Sequence, residues 1–202
     1  MPLWLADQPL VLASKSAVRR TVLDGANVPL EVCPADIDER GIETRAGTTA
    51  PGEIAALLAR EKARAVAAGL PGRLVLGADQ TLALGQRLFT KPADLAAARE
   101  QLKTLRGKTH ELHAAIAIVR DGAILFEHSA IARLTMRAFS DGFLDAYLEA
   151  AGSAVTASVG AYQVENLGIH LFERIEGDHF TILGLPLLPL LDFLRRNGWM
   201  AA

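Results

Sequence analysis

The chain has 202 residues, enough for one sizeable domain, or for two lobes that share a core, with a well-buried interior. Half of its residues are apolar and its formal net charge is -2, which argues against disorder and against a nucleic-acid-binding surface. Cys33 is the single cysteine, so no disulfide can form within the chain and a cytoplasmic location is expected. The apolar stretch 185–194 is too short to span a bilayer, and neither a membrane partner nor a signal peptide is expected.

The first half of the chain alternates strand and helix patterns, which is typical of an α/β fold. In chain order it predicts a strand at 10–13, a helix ending at Gly25, a helix at 53–68, a strand at 74–76, and strands at 81–84 and 87–89 about a Gly85-Gln86 turn. The segment 77–80 is expected to follow the end of the strand at 74–76.

The second half adds a long hairpin and more helices. In chain order it predicts a helix from the capping residue Asp94 to before Gly107, strands at 112–119 and 123–136 about Asp121-Gly122, a helix from the cap Ser140 to Ala151, strands at 169–175 and 180–183 about Gly177-Asp178, and a helix at 187–196. No repeat or linker interrupts the pattern, so residues 1–202 are expected to form one two-lobed domain.

The turn after the first strand carries the first candidate site. Ser14 and Ser16 supply hydroxyl groups at the start of a helix, and Arg19 and Arg20 lie in its first turns. Free backbone N–H groups, the helix dipole and guanidinium forks together suit phosphate oxygens. The alternative is a capping serine followed by a solvated basic face.

An acidic cluster and a lysine form the next candidates. Asp36, Asp38 and Glu39 offer closely spaced oxygen ligands that suit Mg²⁺ or Mn²⁺, although most such clusters are solvated loops. Lys62 lies on an otherwise apolar row of the helix at 53–68. Its alternative role is a lysine at the edge of the core whose ammonium group reaches solvent.

Asp79 is expected just beyond the carboxyl end of the strand at 74–76. Ligands gather at that edge in open α/β sheets, so the carboxylate suits a base or a metal ligand, and an Asx-turn is the structural alternative. Lys91 follows the predicted hairpin and adds positive charge, although alone it is typical of a surface lysine.

Several common functional motifs are absent from the sequence. It contains no P-loop, GxGxxG or HExxH motif. His110 and His113 are three apart in a predicted strand and face opposite sides, which argues against a shared metal. Cys33 is expected to be a small buried residue.

Five short segments occur in a fixed order along the chain. They are Ala13-Ser14-Lys15-Ser16-Ala17-Val18-Arg19-Arg20, Arg60-Glu61-Lys62-Ala63, Gly77-Ala78-Asp79, Thr90-Lys91-Pro92 and Gly184-Leu185-Pro186-Leu187. Each match is short, but their order resembles the Maf family over nearly the whole chain. This resemblance implies a two-lobed α/β fold similar to inosine triphosphate pyrophosphatases, with a central mixed sheet and a nucleotide cleft.

The same resemblance implies an enzyme that cuts nucleoside triphosphates to monophosphate and pyrophosphate with the help of Mg²⁺ or Mn²⁺. Asp79 would be the acidic catalytic residue and a metal ligand. Lys62 and Lys91 would neutralise charge, and Glu39 would help to bind metal, unless Asp36 or Asp38 takes that role. Further residues would contact the substrate, namely Ser14, Ser16, Val18, Arg19, Arg20, Gln80 and Glu165. A homodimer is also implied.

Two positions bear on which nucleotide is bound. Gln80 stands where many Maf members have Thr, and Glu165 stands where many have Gln; both resemble the branch that acts on 7-methyl-GTP. A carboxylate suits 7-methylguanine, which carries positive charge and N–H donors. Val18 stands where that branch often has a stacking Trp. The sequence therefore favours a methylated or otherwise modified guanine nucleotide without deciding it.

A regulatory role is the rival interpretation. The family name refers to septum inhibition, so a nucleotide-binding regulator of cell division is the alternative to an enzyme. A binding module needs the phosphate contacts but has no use for a water-activating carboxylate. Asp79, with two lysines and an acidic cluster, therefore favours the enzyme.

Overall fold

The structure, a computed structural model, describes residues 2–202 and forms one mixed α/β unit around a seven-stranded sheet. The strands and helices in chain order are β1 (Leu10–Ala13), α1 (Ala17–Gly25), β2 (Leu30–Val32), α2 (Glu39–Arg45), α3 (Pro51–Ala67), β3 (Val75–Leu84), β4 (Arg87–Phe89), α4 (Leu95–Leu105), β5 (Thr109–Arg120), β6 (Ala123–Met136), α5 (Asp141–Ala151), β7 (Phe172–Glu176), α6 (His179–Ile182) and α7 (Leu187–Arg196). Short 3-10 turns occupy Gly152–Thr156, Val159–Ala161 and Leu167–Leu171.

The sheet splits along one edge of β3. β5 pairs with almost the whole of the other edge, so β1 and β4 share the remaining one. β1 runs parallel to β3 and its pairing ends with Ala13 opposite Gly77. β4 runs antiparallel, and its pairing begins with Leu82 opposite Phe89. Among the residues that the structure describes, no strand pairs with 78–81 on this edge, so the sheet opens there into a cleft.

Each side of the split has its own core. The first lobe packs α1 and α7 against β1 and β3, with fully buried Leu10, Leu12 and Leu76 at its centre. The second lobe packs α4 and α5 against the later halves of β3 and β6 and the first half of β5, around Leu102 and Leu134. Burying one such leucine side chain contributes about 1.5–3 kcal/mol, so both lobes are anchored independently of the cleft between them.

The five predicted helices are confirmed as α1, α3, α4, α5 and α7, whereas α2 and α6 were not predicted. The start of most helices has a local cause. A side-chain oxygen of the N-cap residue accepts a hydrogen bond from a backbone N–H in the first turn, as the capping rule requires. These caps are Ser16 for α1, Asp38 for α2, Asp94 for α4, Ser140 for α5 and Asp178 for α6. The helix expected from Glu53 instead begins at Pro51, since proline is tolerated where an N–H has no helical partner.

The prediction that a strand ends at Leu76 is wrong. β3 continues to Leu84, so Asp79 lies in the middle of a strand and not in a loop or an Asx-turn. Gly77 is a residue of this strand, and a helix packs closely on it.

The strand predicted at 180–183 is also wrong. Asp178 accepts a hydrogen bond from Thr181 N at 2.9 Å and starts the helix α6 there. The strand predicted at 169–175 is shorter than expected and begins at Phe172, after a 3-10 turn. Both hairpins, about Gly85-Gln86 and Asp121-Gly122, are confirmed. In the described range, 2–202, no helix has both the length and the apolar character needed to cross a membrane.

A histidine is buried without charge in the second lobe. His110 is fully buried, and its Nε2 lies 2.7 Å from the hydroxyl of Tyr162. Its Nδ1 is buried and finds no hydrogen-bond partner within residues 2–202. Burial lowers the pKa of His110 from 6.5 to about 4, because protonation would place an unpartnered charge in the core.

This burial predicts an acid-sensitive fold. Between the two pKa values the unfolded chain binds a proton that the folded chain does not, so stability falls as the pH falls. Going from about pH 7 to about pH 5 should lower the free energy of unfolding by about 2 kcal/mol through this residue. Urea denaturation at both pH values measures the loss.

His110→Phe should be less stable at both pH values, because Tyr162 loses its partner, but should lack this part of the pH dependence. His179→Gln, which changes an exposed imidazole, serves as the matched control and should behave like the wild type. An unchanged pH dependence in His110→Phe would show that other groups cause it.

Candidate active site

A buried carboxylate lies at the split edge of β3. Asp79 is only 8% exposed, and its Oδ1 lies 2.6 Å from the ammonium nitrogen of Lys62. The same nitrogen lies 3.0 Å from Glu39 Oε1. The Lys62 side chain is 11% exposed, so this lysine does not reach out to solvent but joins two carboxylates.

Lys62 reaches Asp79 because α3 lies very close to β3. A Cβ added to Gly77 would overlap the carbonyl oxygen of Ala59 and come within 2.8 Å of the Ala63 backbone nitrogen. Small side chains on both sides permit this approach, since Ala55 and Ala59 of α3 also pack against alanines of β5. The absence of a side chain at Gly77 therefore sets the distance between β3 and α3, the helix that carries Lys62.

The environment of Asp79 alters its acidity. Burial raises the pKa of the Asp79 carboxyl above its ordinary value, while the charges of Lys62 and Arg19 act in the opposite direction. The carboxylate of Glu39 adds to the increase in pKa. Asp79 is therefore more basic than a solvated aspartate, which suits a group that accepts a proton from water.

The predicted phosphate residues separate into two groups. Ser14 and Arg19 are buried at the cleft, where Arg19 Nη1 donates to Ser14 Oγ at 3.2 Å and to the Ala78 carbonyl oxygen at 2.7 Å. Ser16 caps α1 and accepts from Arg19 N at 3.3 Å. Arg20 is exposed and pairs with Asp24 four residues on. For this residue the alternative interpretation, a solvated basic face, is correct.

Two further predicted residues lie along β3 and beyond β4. The Gln80 side-chain amide donates to the carbonyl oxygens of Thr181 and Ile182, both at 3.0 Å, and so holds α6 against β3. Lys91 is exposed and makes no ion pair within the described part of the chain. Because β4 runs antiparallel from its pairing with Leu82, the chain beyond Phe89 leads back along β3 toward Asp79.

Glu165 belongs to a different part of the molecule. It is exposed and lines a pocket of about 550 Å³ in the second lobe, together with Tyr147, Gln163, Asn166 and His170. Neither Asp79 nor Lys62 is among the residues that line it. Val18, in α1, is half-buried and does not line it either. The structure therefore does not bring Glu165 into contact with the carboxylate cluster.

Two carboxylates converge where a divalent cation was expected. Within residues 2–202, no group of three or more His, Cys, Asp or Glu side chains is arranged to hold a metal. Mg²⁺ often takes only one or two protein carboxylates and completes its shell with water and substrate phosphates. Asp79 and Glu39 fit that pattern. Asp38 instead caps α2 through Gly41 N, and Asp36 is exposed.

Comparison with known proteins gives the family. The model of the family described as "Maf-like protein" matches residues 9–197. The chain belongs to the Maf family. Proteins named nucleoside triphosphate pyrophosphatase from Rhodopseudomonas palustris and Bradyrhizobium diazoefficiens are 61% and 60% identical to it over 201 residues, which is 100% of each chain.

A further relative and one solved structure extend the comparison. A protein of Mesorhizobium japonicum named 7-methyl-GTP pyrophosphatase is 49% identical over 193 residues, covering 95% of this chain and 97% of its own. The HAM1 protein from Coxiella burnetii is 15% identical with a TM-score of 0.40, covering 65% of this chain and 74% of its own.

Two groups at the Maf cleft were not singled out from the sequence. The Gly184 carbonyl oxygen accepts from Arg19 Nε at 2.9 Å, and the Ala78 carbonyl accepts from the same side chain. Both are backbone atoms, which no side-chain pattern marks. The Gly184-Leu185-Pro186-Leu187 match was the available signal for the first, but it gave no role to the glycine.

The close approach of α3 predicts a large effect of one methyl group. Gly77→Ala should push the helix from β3 and lower the free energy of unfolding by about 1–3 kcal/mol, as overpacking does. Gly25→Ala is the matched control, because a Cβ there meets nothing within 4 Å and should change stability by less than about 0.5 kcal/mol. Urea denaturation of both variants compares them. Equal stability of the two would contradict the tight packing at Gly77.

Proposed function

We propose that this chain hydrolyses nucleoside triphosphates to a nucleoside monophosphate and pyrophosphate in the cleft beside β3. The observation that carries the proposal is the buried Asp79 carboxylate, held by Lys62 at the split edge of the sheet. Ser14 and Arg19 lie at the same edge. A buried carboxylate with a raised pKa, next to a hydroxyl and to positive charges, suits this hydrolysis.

The chemistry assigns a task to each group. Water attacks the α-phosphorus, its proton passes to Asp79, and the bond from that phosphorus to the bridging oxygen breaks, so pyrophosphate leaves. Negative charge grows on the bridging oxygen and on the leaving group. Lys62 and Lys91 offset that charge, and the hydroxyl of Ser14 donates to a phosphate oxygen.

A divalent cation, Mg²⁺ or Mn²⁺, is proposed to accompany the substrate. Asp79 and Glu39 would hold it, together with phosphate oxygens of the nucleotide. When bound, the cation polarises the phosphate oxygens and stabilises the charge that develops on them. Removal of the metal with a chelator should therefore abolish pyrophosphate release, and added Mg²⁺ or Mn²⁺ should restore it.

The relatives support the enzyme over the regulator of cell division. Those matched over their full length at about 60% identity are named as pyrophosphatases. A regulator would bind nucleotide without a proton acceptor, whereas Asp79 is kept at the cleft despite the unfavourable burial of a carboxylate. A role as proton acceptor in catalysis explains why a carboxylate is buried there.

Asp79→Asn tests the proposal directly. The amide keeps the shape of the side chain but cannot accept the proton, so turnover should fall at least about a hundredfold. The assay measures pyrophosphate release from a panel of nucleotides that includes dTTP, UTP, GTP and 7-methyl-GTP, with Mg²⁺ or Mn²⁺.

Asp192→Asn, on the exposed side of α7, is the matched control and should keep wild-type turnover. Thermal denaturation establishes that both variants are folded. Wild-type turnover in Asp79→Asn would remove this residue from the mechanism, and no release from any nucleotide by the wild type would refute the enzyme.

We propose further that the base is a modified guanine such as 7-methylguanine, bound in the pocket that Glu165 lines. The pocket offers a carboxylate, the amides of Gln163 and Asn166, and the ring of Tyr147. A carboxylate complements both the N–H donors and the positive ring of 7-methylguanine. The relative named for 7-methyl-GTP supports this choice at lower identity than the relatives with the general name.

Glu165→Gln tests the base-reading role. Wild-type kcat/KM should be higher for 7-methyl-GTP than for dTTP and UTP, and the variant should lose about ten- to a hundredfold of that preference. Such a loss corresponds to one charge-assisted hydrogen bond of about 1.5–3 kcal/mol. Glu149→Gln, which changes an exposed carboxylate of α5, is the matched control. A preference for pyrimidine triphosphates that Glu165→Gln leaves unchanged would reject the role.

A further inference from the structure

The side chain of Arg19 joins three segments that are distant in sequence. Its Nη1 donates to Ser14 Oγ at 3.2 Å and to the Ala78 carbonyl oxygen at 2.7 Å, and its Nε donates to the Gly184 carbonyl oxygen at 2.9 Å. The residue is only 9% exposed. Three of the five N–H donors of the guanidinium are therefore bound within the protein.

These bonds also determine what the Ser14 hydroxyl can do. A serine hydroxyl has one hydrogen to donate and two lone pairs to accept with. Ser14 Oγ accepts from Ser16 N at 3.2 Å and from Arg19 Nη1 at 3.2 Å, which occupies both lone pairs. Its O–H hydrogen is left as a donor, and a phosphate oxygen is an acceptor.

We infer that Arg19 is a positioning residue, which presents the Ser14 hydroxyl as a hydrogen-bond donor to the phosphates and does not itself bind them. The inference rests on the proposed function and assigns Arg19 a role within that site. It replaces the expectation from sequence that Arg19 grips the triphosphate.

The backbone acceptors give the reason why Arg19 stays in place when a nucleotide binds. The Ala78 carbonyl lies on the edge of β3 just beyond the last residue that β1 pairs with, Gly77. If Arg19 turned toward a phosphate, the buried carbonyl oxygens of Ala78 and Gly184 would lose their donor. A buried polar group without a partner costs about 1–3 kcal/mol, which opposes that movement.

A double-mutant cycle of Arg19→Lys and Ser14→Ala tests the inference. The readouts are kcat/KM for the best nucleotide of the panel and the Kd of its α,β-methylene analogue with Mg²⁺, measured by calorimetry. Arg19→Lys should lower kcat/KM about tenfold or more in the wild type, since lysine lacks the fork that binds two acceptors. In the Ser14→Ala background the same change should lower it by at most about threefold, because the hydroxyl is already gone.

Equal factors in both backgrounds would overturn the inference, because a direct contact between Arg19 and the triphosphate acts independently of Ser14. If Arg19→Lys does not fold, Arg19→Gln completes the same cycle. Arg73→Lys is the matched control: this arginine donates to the Pro9 carbonyl at the other end of β3, and its change should leave kcat and Kd within about twofold.

The analogue keeps this test separate from that of the function. A wild type that hydrolyses no nucleotide but binds the analogue refutes the enzyme, and the Kd cycle still reports whether Arg19 acts through Ser14. Non-additive Kd values then support the positioning role alone, and additive values reject it.

Discussion

The unpaired stretch of β3 is the constraint around which the rest of the structure is arranged. A strand edge inside a protein must find partners for its backbone groups, because buried polar groups without them are costly. Here β1 leaves β3 at Gly77 and β4 joins it at Leu82, so the gap is filled by side chains and not by another strand. Arg19 donates a hydrogen bond to the Ala78 carbonyl oxygen, and the Gln80 side chain donates to the Thr181 carbonyl oxygen of α6. The opening that results is where we propose that the triphosphate binds.

Charge balance is the second feature of the cleft. Lys62 contacts two carboxylates, Asp79 and Glu39, and the charge of Arg19 also acts on the buried Asp79, so the positive charges of the cleft face negative ones. Pairing of this kind makes burial tolerable, but it leaves little positive charge for a triphosphate. A substrate with several negative charges therefore needs compensation from elsewhere. The proposed divalent cation and the exposed Lys91 would supply it.

Local sequence patterns predicted the α/β class, both hairpins, the last helix and most of the caps, because these depend on neighbouring residues. They placed Asp79 after a strand that ends at Leu76, whereas β3 continues to Leu84, and Gly77 lies where α3 packs closely against that strand. The hydrogen bonds of Arg19 join residues that are 59 and 165 positions apart in sequence. The periodicity of hydrophobic residues does not predict contacts between such distant positions. The ordered matches to Maf brought those segments together, but gave no geometry.

The continuity of β5 and β6 has a consequence for how the cleft behaves. Residues 109–120 pair with 123–135 along the hairpin, with a single register shift at Ile118–Val119, and this ladder passes behind both lobes. A hinge between the lobes would have to rupture those hydrogen bonds, whereas a slight change in sheet twist would keep them. The two halves are thus two ends of one stiff ribbon. The binding cleft exists before the nucleotide arrives, and little conformational entropy is lost in forming it.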